Sequence, residues 1–155
     1  MLTGGGTGTS VIDAAEGGLT ELQPGGYLFM DSRYRRIEWP DGAPTPFEQS
    51  LTVLASVISL PGPGRCIVDM GLKSISSDGG VPAPAALPGA AFRFAGEEHG
   101  ELSWADGRCP LALGDHVAFV PTHCDTTVNL HDQFVVARDG IVTDVWDIAA
   151  RGRSQ

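Results

Sequence analysis

The sequence predicts a mainly β chain, an antiparallel barrel or sandwich, and three observations carry that expectation. The 155 residues include 21 glycines and 11 prolines, which punctuate the chain so often that few windows could hold a helix of about ten residues. Between these breaks lie short runs rich in β-branched and aromatic residues. Near the C-terminal end, Arg138-Asp139-Gly140-Ile141 sets Asp-Gly between two apolar runs, the signature of a type I′ hairpin.

Taken in order, the chain opens on a glycine-rich segment, Thr3 to Thr9. Strands are expected at Tyr27 to Asp31, Leu51 to Ser59, Arg65 to Asp69, Ala91 to Phe94, Glu101 to Trp104 and His116 to Val120. Three more follow at Val128 to Leu130, Phe134 to Arg138 and Ile141 to Asp147. Trp39 to Pro46 reads as a loop. Gly79 to Gly89, with three prolines, cannot donate a full ladder of backbone hydrogen bonds and reads as an extended loop. No internal repeat is evident, and one core is expected.

The net charge of -9 is spread along the chain, with no basic stripe, which argues against nucleic acid or an anionic membrane as partner. The longest apolar stretch, Leu51 to Leu60, is broken by Thr52, Ser56 and Ser59 and falls short of a span of about 20 residues. Met1 to Thr9 lacks the basic and apolar regions of a secretory signal, so a cytoplasmic location is expected. Cys66, Cys109 and Cys124 are widely spaced and expected to be reduced thiols.

Few residues offer chemistry. Gly4, Gly5, Gly6 and Thr7 form a run whose backbone N–H groups could approach an anion, although a glycine run without a Walker lysine also suits a disordered terminus. His123 and Asp125 follow an apolar strand at a spacing that, in extended chain, turns both to one side and Cys124 to the other. An imidazole and a carboxylate so placed are two parts of a divalent-metal shell, or a hydrogen-bonded surface pair. Lys73, the single lysine, reads as a Schiff-base candidate or as a solvated, ion-paired side chain. His99 lies among Glu97, Glu98 and Glu101, which favour its charged form; His116 and His131 have no evident partner.

Several of these segments fall into one pattern: Gly4-Gly5-Gly6-Thr7-Gly8-Thr9, Thr20-Glu21-Leu22-Gln23-Pro24-Gly25 with Phe29-Met30-Asp31, Asp69-x-Gly71-x-Lys73-Ser74, Glu98-His99-Gly100, and His123-Cys124-Asp125 leading to Val128-Asn129. In this order, over residues 3 to about 147, the chain resembles the D-threonine aldolase and D-serine dehydratase-like family of fold-type III pyridoxal-phosphate enzymes. The resemblance implies that residues 1–20 are the remnant of an N-terminal α/β barrel, carrying its last phosphate loop. Residues 21–155 would be the C-terminal β-domain that completes the active site.

Gly4, Gly5, Gly6 and Thr7 then match the residues that bind the cofactor phosphate, and His123 and Asp125 match the metal ligands. Aspartate at the second ligand position suits a hard ion, manganese or magnesium, better than zinc. The implied activity is that of a lyase on D-β-hydroxy-α-amino acids, by retro-aldol cleavage to glycine and an aldehyde. The alternatives are a D-serine dehydratase-like deamination and a non-catalytic domain that pairs with a barrel-bearing partner. The family's Schiff-base lysine lies in the barrel, and Lys73 matches a different motif lysine. This chain is therefore expected to need the barrel, as a further domain or partner chain, and to be inactive unaided. A homodimer is expected for the complete enzyme.

Overall fold

A computed structural model describes residues 1–153. Strand β1 (Thr3–Gly4), a 3-10 turn (Thr7–Thr9), helix α1 (Ser10–Glu16) and strand β2 (Glu21–Leu22) open the chain. The two strands pair in parallel, with Thr3 opposite Glu21. Parallel neighbours require a crossover connection, here provided by α1, so residues 3–22 form a small βαβ unit. The N-terminal glycines are thus part of a folded element.

Beyond this first pair, eight more strands follow among the described residues: β3 (Val53–Gly62), β4 (Arg65–Val68), β5 (Ala83–Pro84), β6 (Ala90–Phe94), β7 (Gly100–Trp104), β8 (His116–Val120), β9 (Gln133–Arg138) and β10 (Ile141–Asp147). Six of them make one antiparallel sheet in the order β5-β8-β3-β4-β7-β6. Its edge strands β5 and β6 approach each other, so the sheet nearly closes into a barrel. This is the mainly β architecture the composition predicts. The expected loop over residues 79–89 holds one correction, since Ala83 and Pro84 pair with β8; a two-residue edge strand tolerates the proline.

The barrel interior follows from period-2 alternation. On β3, Val53, Ala55 and Val57 are buried while Leu54 and Ile58 face outward, and the inward residues join Cys66, Val68, Leu102, Val117 and Phe119 in one core. Phe92 packs edge-on against Phe119 with ring centroids 5.0 Å apart, an arrangement favoured by the ring quadrupoles. Strands β9 and β10 stand apart as a two-stranded hairpin. Asp139 and Gly140 at its turn have φ of 52° and 77°, as a type I′ turn requires.

Two expected strands are absent. Tyr27 to Asp31 is instead a 3-10 turn (Gly26–Leu28) followed by a reversal, because the Gly26 carbonyl accepts the N–H groups of Phe29 and Met30. Met30, fully buried, sits at a φ of 49°, a left-handed conformation costing about 1 kcal/mol. Val128 to Leu130 falls at the end of helix α2 (Cys124–Val128) and the turn after it. The β-branched residues Thr126, Thr127 and Val128 favour a strand, but the helix start is satisfied from elsewhere: Cys124 N–H donates to Asp31 Oδ2 at 3.0 Å. Between Trp39 and Pro46 a 3-10 turn (Pro40–Gly42) interrupts the expected loop, and Trp39 is buried.

Asp31 is only 1% exposed and accepts two further backbone hydrogen bonds on Oδ1, from Arg33 N–H at 3.1 Å and Tyr34 N–H at 3.0 Å. One carboxylate thus fastens residues 31–34 to the start of α2. Asp31→Ala is expected to lower stability by about 2–3 kcal/mol in urea denaturation, because it strands a buried N–H at Cys124 and uncaps the turn at Arg33. Asp31→Asn should recover only part of this loss, as its amide replaces one acceptor by a donor.

All three cysteines are free. Burial pushes the Cys66 and Cys124 thiols up to about 12, so at pH 8 their thiolate fractions lie about three orders of magnitude below that of an ordinary thiol. Ellman's reagent should therefore titrate no more than one thiol, Cys109, in the folded chain at pH 8, and all three in denaturant.

Candidate active site

The site is built where β8 ends. Beyond Val120 the chain stays extended through His123, then turns into α2. His123 and Asp125 therefore do not alternate along a strand, as extended spacing suggests, yet they converge across the helix start, with His123 Nε2 3.4 Å from Asp125 Oδ2. Cys124 between them is 2% exposed and turned toward Asp31, whose nearby charge adds to burial in raising its thiol.

The other imidazole nitrogen is taken by a residue the spacing does not reveal. Asp78 Oδ2 lies 2.5 Å from His123 Nδ1. It is placed there by two tethers: Thr122 Oγ1 donates to the Asp78 carbonyl at 2.8 Å, and Ser76 N–H donates to Thr127 Oγ1 at 3.2 Å. With the proton on Nδ1 directed at Asp78, the Nε2 lone pair faces Asp125. The hydrogen bond to Asp78 is also the main reason the His123 imidazole titrates above its ordinary range, with the Asp125 charge adding to it. Asp78-Gly79-Gly80 reads as turn chemistry, and no sequence signal links it to a histidine 45 residues on.

In front of His123 opens a cavity of about 310 Å³ lined by Arg33, Tyr34, Ile37 and His123 itself. Ile37 connects this cavity with the glycine segment, since a Cβ on Gly8 would lie 2.6 Å from Ile37 Cδ1. Thr7, 1% exposed, accepts Tyr27 N–H on Oγ1 at 3.0 Å. The glycine segment and the His123 cavity are thus joined through residues 26–37, with Thr7 and Asp31 as the two fastenings.

Within the glycine segment, Gly5 has a φ of 75° and its missing side chain leaves room for Asp13, whose Oδ2 would lie 2.4 Å from an added Cβ. Gly6 faces open space. The turn's first hydrogen bond runs from Thr9 N–H to the Gly6 carbonyl, so the Thr7 and Gly8 N–H groups precede the bonded part of the turn. Thr9 Oγ1 is engaged by Asp13 Oδ2 at 2.6 Å.

The remaining sequence candidates lie outside the cavity. Lys73 pairs with Glu98 at 2.8 Å, both side chains about two-thirds exposed; the ion-paired reading of this lysine is the one the structure bears out. His131 Nε2 bonds the Ser74 carbonyl at 2.7 Å, and His116 is exposed on β8. Among the described residues, no group of three or more His, Cys, Asp or Glu side chains is arranged around a common point. No helix of the described residues is long and apolar enough to cross a membrane.

Comparison with known proteins gives these residues a context. The family described as "Putative serine dehydratase domain" matches residues 50–137. The D-threonine aldolase of an Arthrobacter species is 49% identical over 154 residues, a stretch covering 99% of this chain and 40% of that protein. The 3-hydroxy-D-aspartate aldolase of Paracoccus denitrificans (strain Pd 1222) is 38% identical over 156 residues, again 99% of this chain and 40% of the relative. Among solved structures, D-threonine aldolase from Filomicrobium marinum superposes with a TM-score of 0.93 at 36% identity, over 100% of this chain and 42% of that one. This chain therefore spans about 40% of the length of the curated relatives it matches. Sequence and fold agree along almost the whole chain, which belongs to the D-threonine aldolase and D-serine dehydratase-like family and matches its C-terminal β-domain.

Proposed function

We propose that this chain is the metal-binding C-terminal domain of a pyridoxal-phosphate-dependent lyase that cleaves D-β-hydroxy-α-amino acids to glycine and an aldehyde. The observation that carries the reading is the convergence of His123 Nε2 and Asp125 Oδ2 at 3.4 Å, with Asp78 holding the far side of the imidazole. Two ligand atoms about 2.1 Å from one ion lie about 3.0–3.4 Å apart, so this pair fits a divalent metal without rearrangement. The mixed N/O donor pair suits manganese or magnesium, with water or substrate completing the shell.

The glycine segment fits the phosphate of the cofactor. Gly6 leaves one side open, the leading N–H groups of Thr7 and Gly8 are available, and buried Thr7 fixes the backbone. Residues 1–20 would belong with the barrel of the complete enzyme and residues 21–155 with the β-domain, so that strand β2, paired with β1, would lie just past the division. When bound, the metal would polarise the substrate β-hydroxyl, and the cofactor would serve as an electron sink for the carbanion at Cα. The chain's own contribution is positional: Asp78 fixes the tautomer of His123, Asp31 fixes the backbone on both sides of the cavity, and Tyr34 and Ile37 line it.

The lysine of the family's barrel has no counterpart among these motifs, so catalysis would require a barrel domain or partner chain, and the complete enzyme would form a homodimer. The serine dehydratase description of the matching family favours a second reading, deamination of the same substrate class. Product analysis on the assembled enzyme separates glycine plus aldehyde from 2-oxo acid plus ammonia.

Calorimetric titration with manganese tests the metal site. Asp125→Ala is expected to weaken binding by at least about tenfold, and Cys124→Ser to change it by less than about twofold, since Cys124 is turned into the interior. Equal affinity in Asp125→Ala and the parent chain would remove the metal from this reading.

In the metal-free chain, the His123 imidazole should titrate by NMR above the ordinary value of about 6.5, and Asp78→Asn should bring it down. The sign follows from linkage. A histidine whose folded pKa is raised contributes stability that is fully present below the unfolded value and is lost as pH rises through the folded one. The proton also competes with the metal for Nε2, so metal affinity should fall with pH, and fall sooner in the parent than in Asp78→Asn.

A further inference from the structure

We infer that Arg33 is a specificity-determining residue which binds a carboxylate carried on the β-carbon of the substrate, placing this chain with enzymes for 3-hydroxy-D-aspartate-type substrates. The inference rests on the reading of the His123 cavity as the seat of the β-hydroxyl.

Three observations carry it. Arg33 lines the cavity together with His123, so a ligand whose β-hydroxyl meets His123 presents its β-substituent to the same space. Among the described residues, the Arg33 guanidinium has no carboxylate within ion-pair distance, which leaves its planar fork free for bidentate contact with a carboxylate. Its backbone is held by Asp31, the same carboxylate that holds Cys124 beside His123. The cation and the candidate metal ligand are therefore set on one scaffold.

Charge makes Arg33 discriminating. His123 is surrounded by the carboxylates of Asp78, Asp125 and Asp31, in a chain of net charge -9. The second carboxylate of such a substrate would be repelled from this place unless a cation faced it, and of the residues lining the cavity only Arg33 carries a permanent one. Tyr34 and Ile37 could accept the methyl group of D-threonine as readily as the carbon of a second carboxylate. Arg33 is the residue that tells the two apart, by pairing with the anion and leaving the methyl group without a matching partner.

The test is an NMR titration of the full 155-residue chain in buffer containing Mg²⁺, following the His123 imidazole and the Arg33 side chain. The probes are 3-hydroxy-D-aspartate and D-threonine. In the parent chain, 3-hydroxy-D-aspartate is expected to bind about tenfold more tightly than D-threonine. Arg33→Ala should bring the two within about twofold, Arg33→Glu should reverse the order, and Arg33→Lys should keep part of the preference. Amide dispersion in each variant reports that the fold is intact, as expected for an exposed side chain. Equal affinities in the parent, or a preference that survives Arg33→Ala, overturns the role of Arg33 while leaving the metal-site reading standing. If neither amino acid perturbs His123, in this chain and in the barrel-bearing enzyme with pyridoxal phosphate bound, the assignment of the cavity as the substrate site falls, and the role of Arg33 falls with it.

Discussion

The Asp31 carboxylate is the constraint on which the arrangement of this chain depends. It is buried, it forms no ion pair among the described residues, and it is satisfied by three backbone N–H groups, two following it in sequence and one 93 residues away. Withdrawing a carboxylate from water is costly unless such donors replace the lost hydration. The chain therefore has little freedom in how residues 31–34 meet the start of α2. The strained backbone at Met30 turns Asp31 to its partners, a local cost sustained by the surrounding packing.

Much of the barrel was legible in the sequence because its strands obey local rules. β8 and β10 fall at the expected bounds, and β3, β4, β6, β7 and β9 within a few residues of them, since alternation and turn chemistry are encoded residue by residue. The two failures are instructive for the same reason. Tyr27 to Asp31 has strand-like residues but is turned back by the Gly26 carbonyl, and Val128 to Leu130 follows a helix whose first turn is completed by Asp31. In both, a contact formed by the fold outweighs local preference.

The candidate site divides along the same line. His123 and Asp125 could be singled out because two residues of suitable chemistry stand close in sequence. Asp78 could not, nor could the part played by Asp31, because each acquires its role from a neighbour far along the chain. The geometry also corrects the reason for the pairing: His123 and Asp125 meet across a helix start, where residues two apart would not share a face of a continuing helix. Their convergence at 3.4 Å depends on α2 beginning at Cys124.

Helix α1 buries none of its residues, and Val11 and Ile12 are nearly half exposed. The βαβ unit that carries the glycine segment is therefore held mainly by its short strand pair and by Thr7, while the barrel behind it has a continuous core. Hydrogen exchange in such a molecule is expected to be graded, with amides of β3 and β8 opening only with the whole fold and those of residues 3–22 opening in small, frequent excursions. An anion gripped by that segment would suppress the excursions, so part of its binding free energy would be spent on ordering a unit that the rest of the chain leaves loosely held.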